Sequence, residues 1–409
     1  MNLVKIKNFY LSYYFIFLFI ITFYYLLTLN VVETYNAMTE WLINYQGGFV
    51  RRGLFGEALF KISQYLNLDL KFSILITQII LYGAFYYLIY LLIKDLKLNK
   101  FLLFIIFSPV FLFYPIAELE ALGRKEILVS ILFLTISIFF RHNLNLKIFI
   151  FFFGSLIVLL THEIIVFYFL NFLIFLLILN KRNSFVLNIK ILFIFLILTL
   201  VTAIIFFNNY TPIMKENMCL SLIENFSIKC GFQTHFVANP IGTYIGEVDW
   251  KLNHYLRNGI LYLLGFGPIL IFSNFLKFNK DKCNSIFVNI PVFILLVIFS
   301  VINLLIFFIS VDTSRYFHLA YINIFIFIFG LIYKEIIYIN YENLSKFEKK
   351  YLPNNKIIFI LFLFFISFSW SPKATYGEDF GSFPIYRSIE KMPNFYQNLK
   401  KFRVKKVSG

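Results

Sequence analysis

Apolar runs of about 18 residues or more recur from one end of this chain to the other, separated by short polar junctions. Runs of that length suit helices crossing a hydrocarbon core of about 30 Å. Eleven helices account for them, at approximately residues 9–30, 73–93, 101–117, 127–140, 148–161, 164–180, 191–208, 258–276, 286–309, 316–333 and 357–372. The predicted fold class is an all-α polytopic integral membrane protein with about 11 transmembrane helices, within a range of 10–12. A single transmembrane domain, residues 1–372, would include a first external loop at 31–72 and a long external loop at 209–257, with a C-terminal tail at 373–409. Residues 148–180 as one helix would reach about 50 Å, too long for the bilayer. Thr161-His162-Glu163 interrupts them, which predicts two short helices hinged at ionisable residues. Residues 127–140 are short for a span, so that helix is expected to begin inside the preceding junction. In the first loop Leu54, Ala58, Leu59, Ile62 and Leu66 fall at helical spacing and predict an amphipathic helix lying in the interface.

Composition agrees: 409 residues that are 60% hydrophobic and 14% charged exclude a soluble globular chain. The net charge of +16 would suggest nucleic acid on a soluble protein, but no nucleic-acid motif accompanies it. Its distribution follows the positive-inside tendency. With the N-terminus in the cytoplasm, the tail and the loops at 94–100, 141–147, 181–190, 277–284 and 334–356 hold 18 Lys/Arg and five Asp/Glu. The opposite face receives 16 of the 21 acidic residues. Lys5 and Lys7 precede an apolar run, Phe9 to Leu29, with no small-residue cleavage site after it, so a retained first helix is expected. The expected location is a membrane, with the N-terminus on its cytoplasmic side. The basic stretch Lys400 to Lys406 would suit the cytoplasm and leaves the side of the C-terminal tail open. Three cysteines make no disulfide framework or metal pattern. Cys219 and Cys230 share the long loop and can pair if that loop is extracytoplasmic.

Four polar junctions fall on the acidic face. The first, Asn44 to Glu57, holds Arg51, Arg52, four glycines and Glu57, in a chain with only nine arginines against 28 lysines. Glycines let backbone approach closely, and paired guanidiniums suit a phosphate or carboxylate. The second, Glu118 to Glu126, places Glu120, Arg124, Lys125 and Glu126 before an apolar helix whose N-terminus also favours an anion. The third is Thr161-His162-Glu163; Val166 stands where a zinc-protease motif needs its second histidine, which excludes that class. In the fourth, Asp312 and Arg315 either pair with each other or aim Arg315 into a cavity. The first also has a plain reading as a surface loop whose arginines meet lipid headgroups, the second as a solvated turn and the third as a partnered structural pair. Together they read as parts of one anion-binding site.

The layout resembles the GT-C class of polytopic glycosyltransferases. Glu33 and Glu40 stand where that class carries an acidic residue in a long first loop, with Glu in place of the usual Asp. Thr161-His162-Glu163 resembles its Lys-Glu step between short helices, with His in place of Lys, and Arg315-Tyr316 resembles its late Arg-Tyr junction. Gly47 to Leu54 is similar to a stretch in membrane proteins of bacterial surface-polysaccharide clusters, and O-antigen polymerases share the general look. The resemblance implies transfer from a polyprenyl-phosphate-linked sugar donor to a glycan or lipid-linked acceptor at the extracytoplasmic face. Glu33 or Glu40 would be the base, and Arg51, Arg52, Arg124, Lys125 and Arg315 would hold phosphate. Glu57, Glu120, Glu126, His162, Glu163 and Asp312 would support them. No cofactor is expected, and a divalent metal is left open. Repeat-unit polymerisation and transport of an anionic lipid-linked glycan remain as alternatives.

Overall fold

A computed structural model describes residues 3–30, 36–139, 143–180, 184–207, 211–231, 252–283, 286–304, 313–368, 370 and 372. It is almost entirely helical. The long helices are α1 (Leu3–Asn30), α4 (Leu70–Ile93), α8 (Leu144–Thr161), α10 (Phe185–Phe207), α12 (Leu252–Ser273) and α14 (Thr313–Tyr333). Shorter ones are α2 (Asn36–Trp41), α3 (Leu54–Leu66), α5 (Lys100–Ile106), α6 (Tyr114–Ala117), α7 (Ile127–Ile138), α9 (Phe169–Leu179), α11 (Pro212–Phe226), α13 (Val292–Leu304), α15 (Tyr341–Tyr351) and α16 (Lys356–Phe368).

Among the described residues five segments are long and apolar enough to cross a membrane: Leu11–Asn30, Leu70–Ile93, Leu144–Thr161, Phe185–Ile205 and Ser314–Tyr333. The pair α15 and α16, bent by 90°, would make a sixth. Such segments make this an all-α membrane protein. Of the remaining expected spans, 258–276 falls on the continuous α12 with Pro268 inside it, 127–140 is the twelve-residue α7, and 101–117, 164–180 and 286–309 are broken into shorter elements. Ser108-Pro109 ends α5, because proline offers no N–H and restricts the residue before it. Residues 164–180 begin as the 3-10 helix Glu163–Tyr168 and become α-helical only at Phe169. The α7 helix starts at Ile127, not inside the junction, which is taken up by a 3-10 turn at Leu119–Ala121 and a left-handed Gly123.

α14 lies at the centre, almost fully buried and, after Thr313, apolar apart from Ser314, Arg315, His318 and Asn323, as a helix packed on several sides must largely be. It packs on α7 and α4, and α4 packs in turn on α1. The two ends of this bundle differ. At one end Lys334 Nζ donates to the Ile138 carbonyl (2.8 Å), Lys100 Nζ to Pro353 (2.7 Å), and the Phe101 N–H to Glu348 (2.7 Å). There a two-stranded antiparallel sheet, outside the all-helical expectation, pairs β1 (Leu276–Phe278) with β2 (Ile337–Ile339) in the register Lys277 to Tyr338. The other end carries α2, α3 and α11. α3 is the helix expected there, with Leu59, Phe60 and Ser63 turned inward while Ile62, Tyr65 and Leu66 are exposed. Cys219 and Cys230 form a disulfide (Cα–Cα 5.5 Å) that ties the middle of α11 to the chain that follows it.

Candidate functional site

Backbone geometry brings four distant junctions together. After α2 the chain turns at Gly48 (φ 125°) and at Arg52, which is left-handed (φ 66°) although it carries a side chain. That conformation costs a non-glycine residue about 1 kcal/mol or more. α3 then lies directly on the end of α2: a Cβ on Gly56 would stand 1.8 Å from the Ile43 carbonyl oxygen. The second junction turns at Gly123 (φ 78°). Its carbonyl accepts from Trp41 Nε1 (2.7 Å) and Gln78 Nε2 (2.8 Å), which locks it to α2 and α4. Arg124, Lys125 and Glu126 follow in sequence. At the third junction His162 ends α8 in an extended conformation, and its Nδ1 accepts from the Ile164 N–H (3.2 Å). The fourth is the first turn of α14, which carries Arg315 inward.

The charged groups form one buried network. Arg52 Nε donates to both oxygens of Glu163 (2.9 and 2.7 Å), and Arg52 Nη1 lies 3.8 Å from Glu40. Arg51 stands 3.8 Å from Glu163, Arg124 is 3.6 Å from Glu40, and Arg315 is 3.3 Å from Glu126. His162 Nε2 sits between the two remaining carboxylates, 3.1 Å from Glu40 and 3.4 Å from Glu126, though neither contact is aligned as a hydrogen bond. Lys125 Nζ donates to the Arg52 carbonyl (2.7 Å) and lies 5.7 Å from the Trp41 ring centre. Glu40 and Lys125 are wholly inaccessible. Five cations thus face three carboxylates, so the network has a formal positive excess where solvent cannot screen it. That excess favours an anionic ligand.

Burial and the adjacent Glu126 both raise the pKa of Glu40, but contact with His162 and the Arg124 charge outweigh them and hold it down at about 2. Burial pushes Lys125 down to about 8, although Glu40 opposes the shift. Glu40, Glu126 and His162 offer ligand atoms within 4.8 Å of one another, a geometry that could hold a metal ion. Their chemistry fits one poorly. Because Nδ1 accepts a backbone N–H, the ring proton of a neutral His162 resides on Nε2, the atom a metal would need. The surrounding guanidiniums add repulsion.

Next to the network, a small cavity opens between α4, α7 and α14. Arg124, Glu126, Ser130, Arg315 and His318 line its polar side, and Tyr82, Phe85, Ile127 and Ile322 line the apolar side. About 20 Å³ is open to the centre of a water molecule, room for one or two waters.

Of the residues singled out by sequence, Glu40, Arg51, Arg52, Arg124, Lys125, Glu126, His162, Glu163 and Arg315 converge here. Glu33 and Asp312 lie outside the described residues. The side chains of Glu57 and Glu120 stand outside the network. Glu57 accepts from the Tyr45 N–H (2.9 Å) and from Gln46 Nε2 (2.7 Å) and so shapes the first loop. Glu120 contributes its backbone carbonyl to Arg124 Nε (2.9 Å). Lys125, expected on phosphate, braces the Arg52 carbonyl and does not line the cavity. Sequence reading missed Gln78, a lone amide on an apolar helix and therefore a usable signal. It also missed Ser130, whose hydroxyl is too ordinary in such a helix to be one.

Compared with family models, curated proteins and solved structures, the chain matches none.

Proposed function

We propose that this protein is a glycosyltransferase of the cytoplasmic membrane that takes sugar from a polyprenyl-phosphate carrier in surface-polysaccharide assembly. The observation that carries this reading is the placing of Arg124, Arg315 and Glu126 together on the polar side of the small cavity, backed by the wider network of Arg51, Arg52, Glu40, His162 and Glu163. Sugar transfer from a lipid phosphate needs fixed cations for the departing phosphate and a carboxylate for the acceptor's proton. A positive excess out of reach of water supplies the first, and buried carboxylates supply the second. The apolar walls of α4 and α14 suit a lipid tail. A sugar phosphate exceeds the space for one or two waters, so the reading requires these walls to part.

In this proposal the interrupted helices complete eleven crossings, and the N-terminus lies in the cytoplasm. The network then faces the extracytoplasmic side. The disulfide at the same end supports that orientation, since such bonds persist in oxidising compartments. Size analysis of surface glycans in a deletion strain tests the function. A glycan truncated within its repeat is the expected result for a transferase. Loss of the polymer ladder with one repeat retained would reassign the same site to polymerisation, and unchanged glycans would refute both.

A further inference from the structure

Three carboxylates share the network, and they differ in what they can reach. Glu163 is gripped by Arg52. Glu40 is wholly buried behind Arg52, Arg124 and His162, and it does not border the cavity. Glu126 does border it. Both Glu126 oxygens are buried without an aligned hydrogen bond, and the Ser130 hydroxyl one helical turn further along the same wall is likewise buried without one. An acceptor-only carboxylate and a hydroxyl, both with unused capacity on one small cavity, call for a ligand that donates hydrogen bonds. The cations beside them, Arg124 and Arg315, can only donate, so the donor and acceptor halves of the cavity suit different parts of one reacting pair.

We propose that Glu126, and not Glu40 or Glu33, is the group that takes the proton of the acceptor hydroxyl, with Ser130 holding that hydroxyl; this rests on the glycosyltransferase reading above. The hydroxyl proton passes to a Glu126 oxygen while the hydroxyl oxygen bonds to the anomeric carbon of the donor. The bond from that carbon to the carrier phosphate oxygen breaks, and its electron pair leaves with the phosphate beside Arg124 and Arg315. The proton on Glu126 then passes to the released phosphate. Glu40 is a positioning residue, which orients His162 and Arg124 from behind.

The test uses membranes of a deletion strain carrying the full chain, supplied with the polyprenyl-linked glycans that the deletion strain accumulates. Glu126→Gln and Glu126→Ala are expected to lose transfer by about 100-fold or more, the scale of a general base. Added formate is expected to restore transfer to Glu126→Ala and not to Glu40→Ala, because only the first leaves a hole on the cavity. Ser130→Ala, which disturbs no ion pair, is expected to raise the apparent KM for the extract several-fold with little change in kcat. Full transfer by Glu126→Gln, rescue by formate of Glu40→Ala alone, or unchanged kinetics in Ser130→Ala would each overturn the assignment while leaving the enzyme reading standing. No transfer by the wild type would overturn both.

Discussion

Arg52 and Glu163, 111 residues apart, meet in a forked ion pair in which Nε reaches both carboxylate oxygens and Nη2 reaches one. The pair fastens the first loop to the hinge after α8, and Arg52 makes it from a left-handed backbone conformation. Removing one partner leaves a buried charge uncompensated, which costs about 3–5 kcal/mol. Arg52→Met and Glu163→Leu should each lower thermal stability in detergent by that order, and the double variant should recover most of the loss. Arg52→Lys keeps the charge but not the fork and should fall between wild type and Arg52→Met.

Glu40 should govern the acid limb of stability. Its pKa in the folded protein, about 2, lies below its ordinary 4.5. The stability from its charge is therefore complete above pH 4.5 and lost as pH falls through about 2, on the order of 3 kcal/mol. Unfolding measured between pH 7 and 2 should show Glu40→Gln less stable than wild type at neutrality, with the two curves converging in acid. A constant gap would assign the Glu40 contribution to packing and not to its charge.

Glycines should differ in their tolerance of a side chain according to what surrounds each. In Gly56→Ala the new methyl would stand 1.8 Å from the Ile43 carbonyl oxygen, so α3 must move, at a cost of about 1–3 kcal/mol or more. Gly259→Ala in α12 meets nothing within 4 Å and should be neutral or stabilising by up to about 1 kcal/mol. Thermal unfolding of the two variants side by side checks the contrast.

The disulfide offers a test of sidedness. A membrane-impermeant reductant followed by an impermeant maleimide should label Cys219 and Cys230 in intact cells and leave Cys283, buried near the Ile178 carbonyl, unlabelled. Labelling only after the cells are permeabilised would invert the orientation. Losing the crosslink should cost about 3 kcal/mol for so short a loop.

Much of this arrangement was legible in the chain because charge is expensive in an apolar protein. Arg51, Arg52, Arg124, Glu126, His162, Glu163 and Arg315 stand out against their flanks, and their fall on one face already implied that they could meet. The partner each one takes was not legible. Nothing in spacing distinguishes Glu126, which borders the cavity, from Glu120, whose backbone alone is used, since that choice depends on the left-handed turn at Gly123. Glu57 looked equivalent to the other acids, but its contacts stay within its own loop. Helix continuity was legible only where the apolar run was unbroken, as in α1, α4 and α14. The hinge at Thr161-His162-Glu163 was legible from its polar residues, but the division of 101–117 around Ser108-Pro109 and the 3-10 form of Glu163–Tyr168 were not, because hydropathy stays high there while the backbone departs from the α-helix.

The central claim is tested most directly by incubating the purified protein with the polyprenyl-linked glycans extracted from a deletion strain and following the fate of the carrier. Release of carrier phosphate by the wild type, with loss of that activity in Arg124→Ala and Arg315→Ala variants that still fold, is the predicted result. Carrier that stays fully loaded in the presence of folded wild-type protein would contradict it.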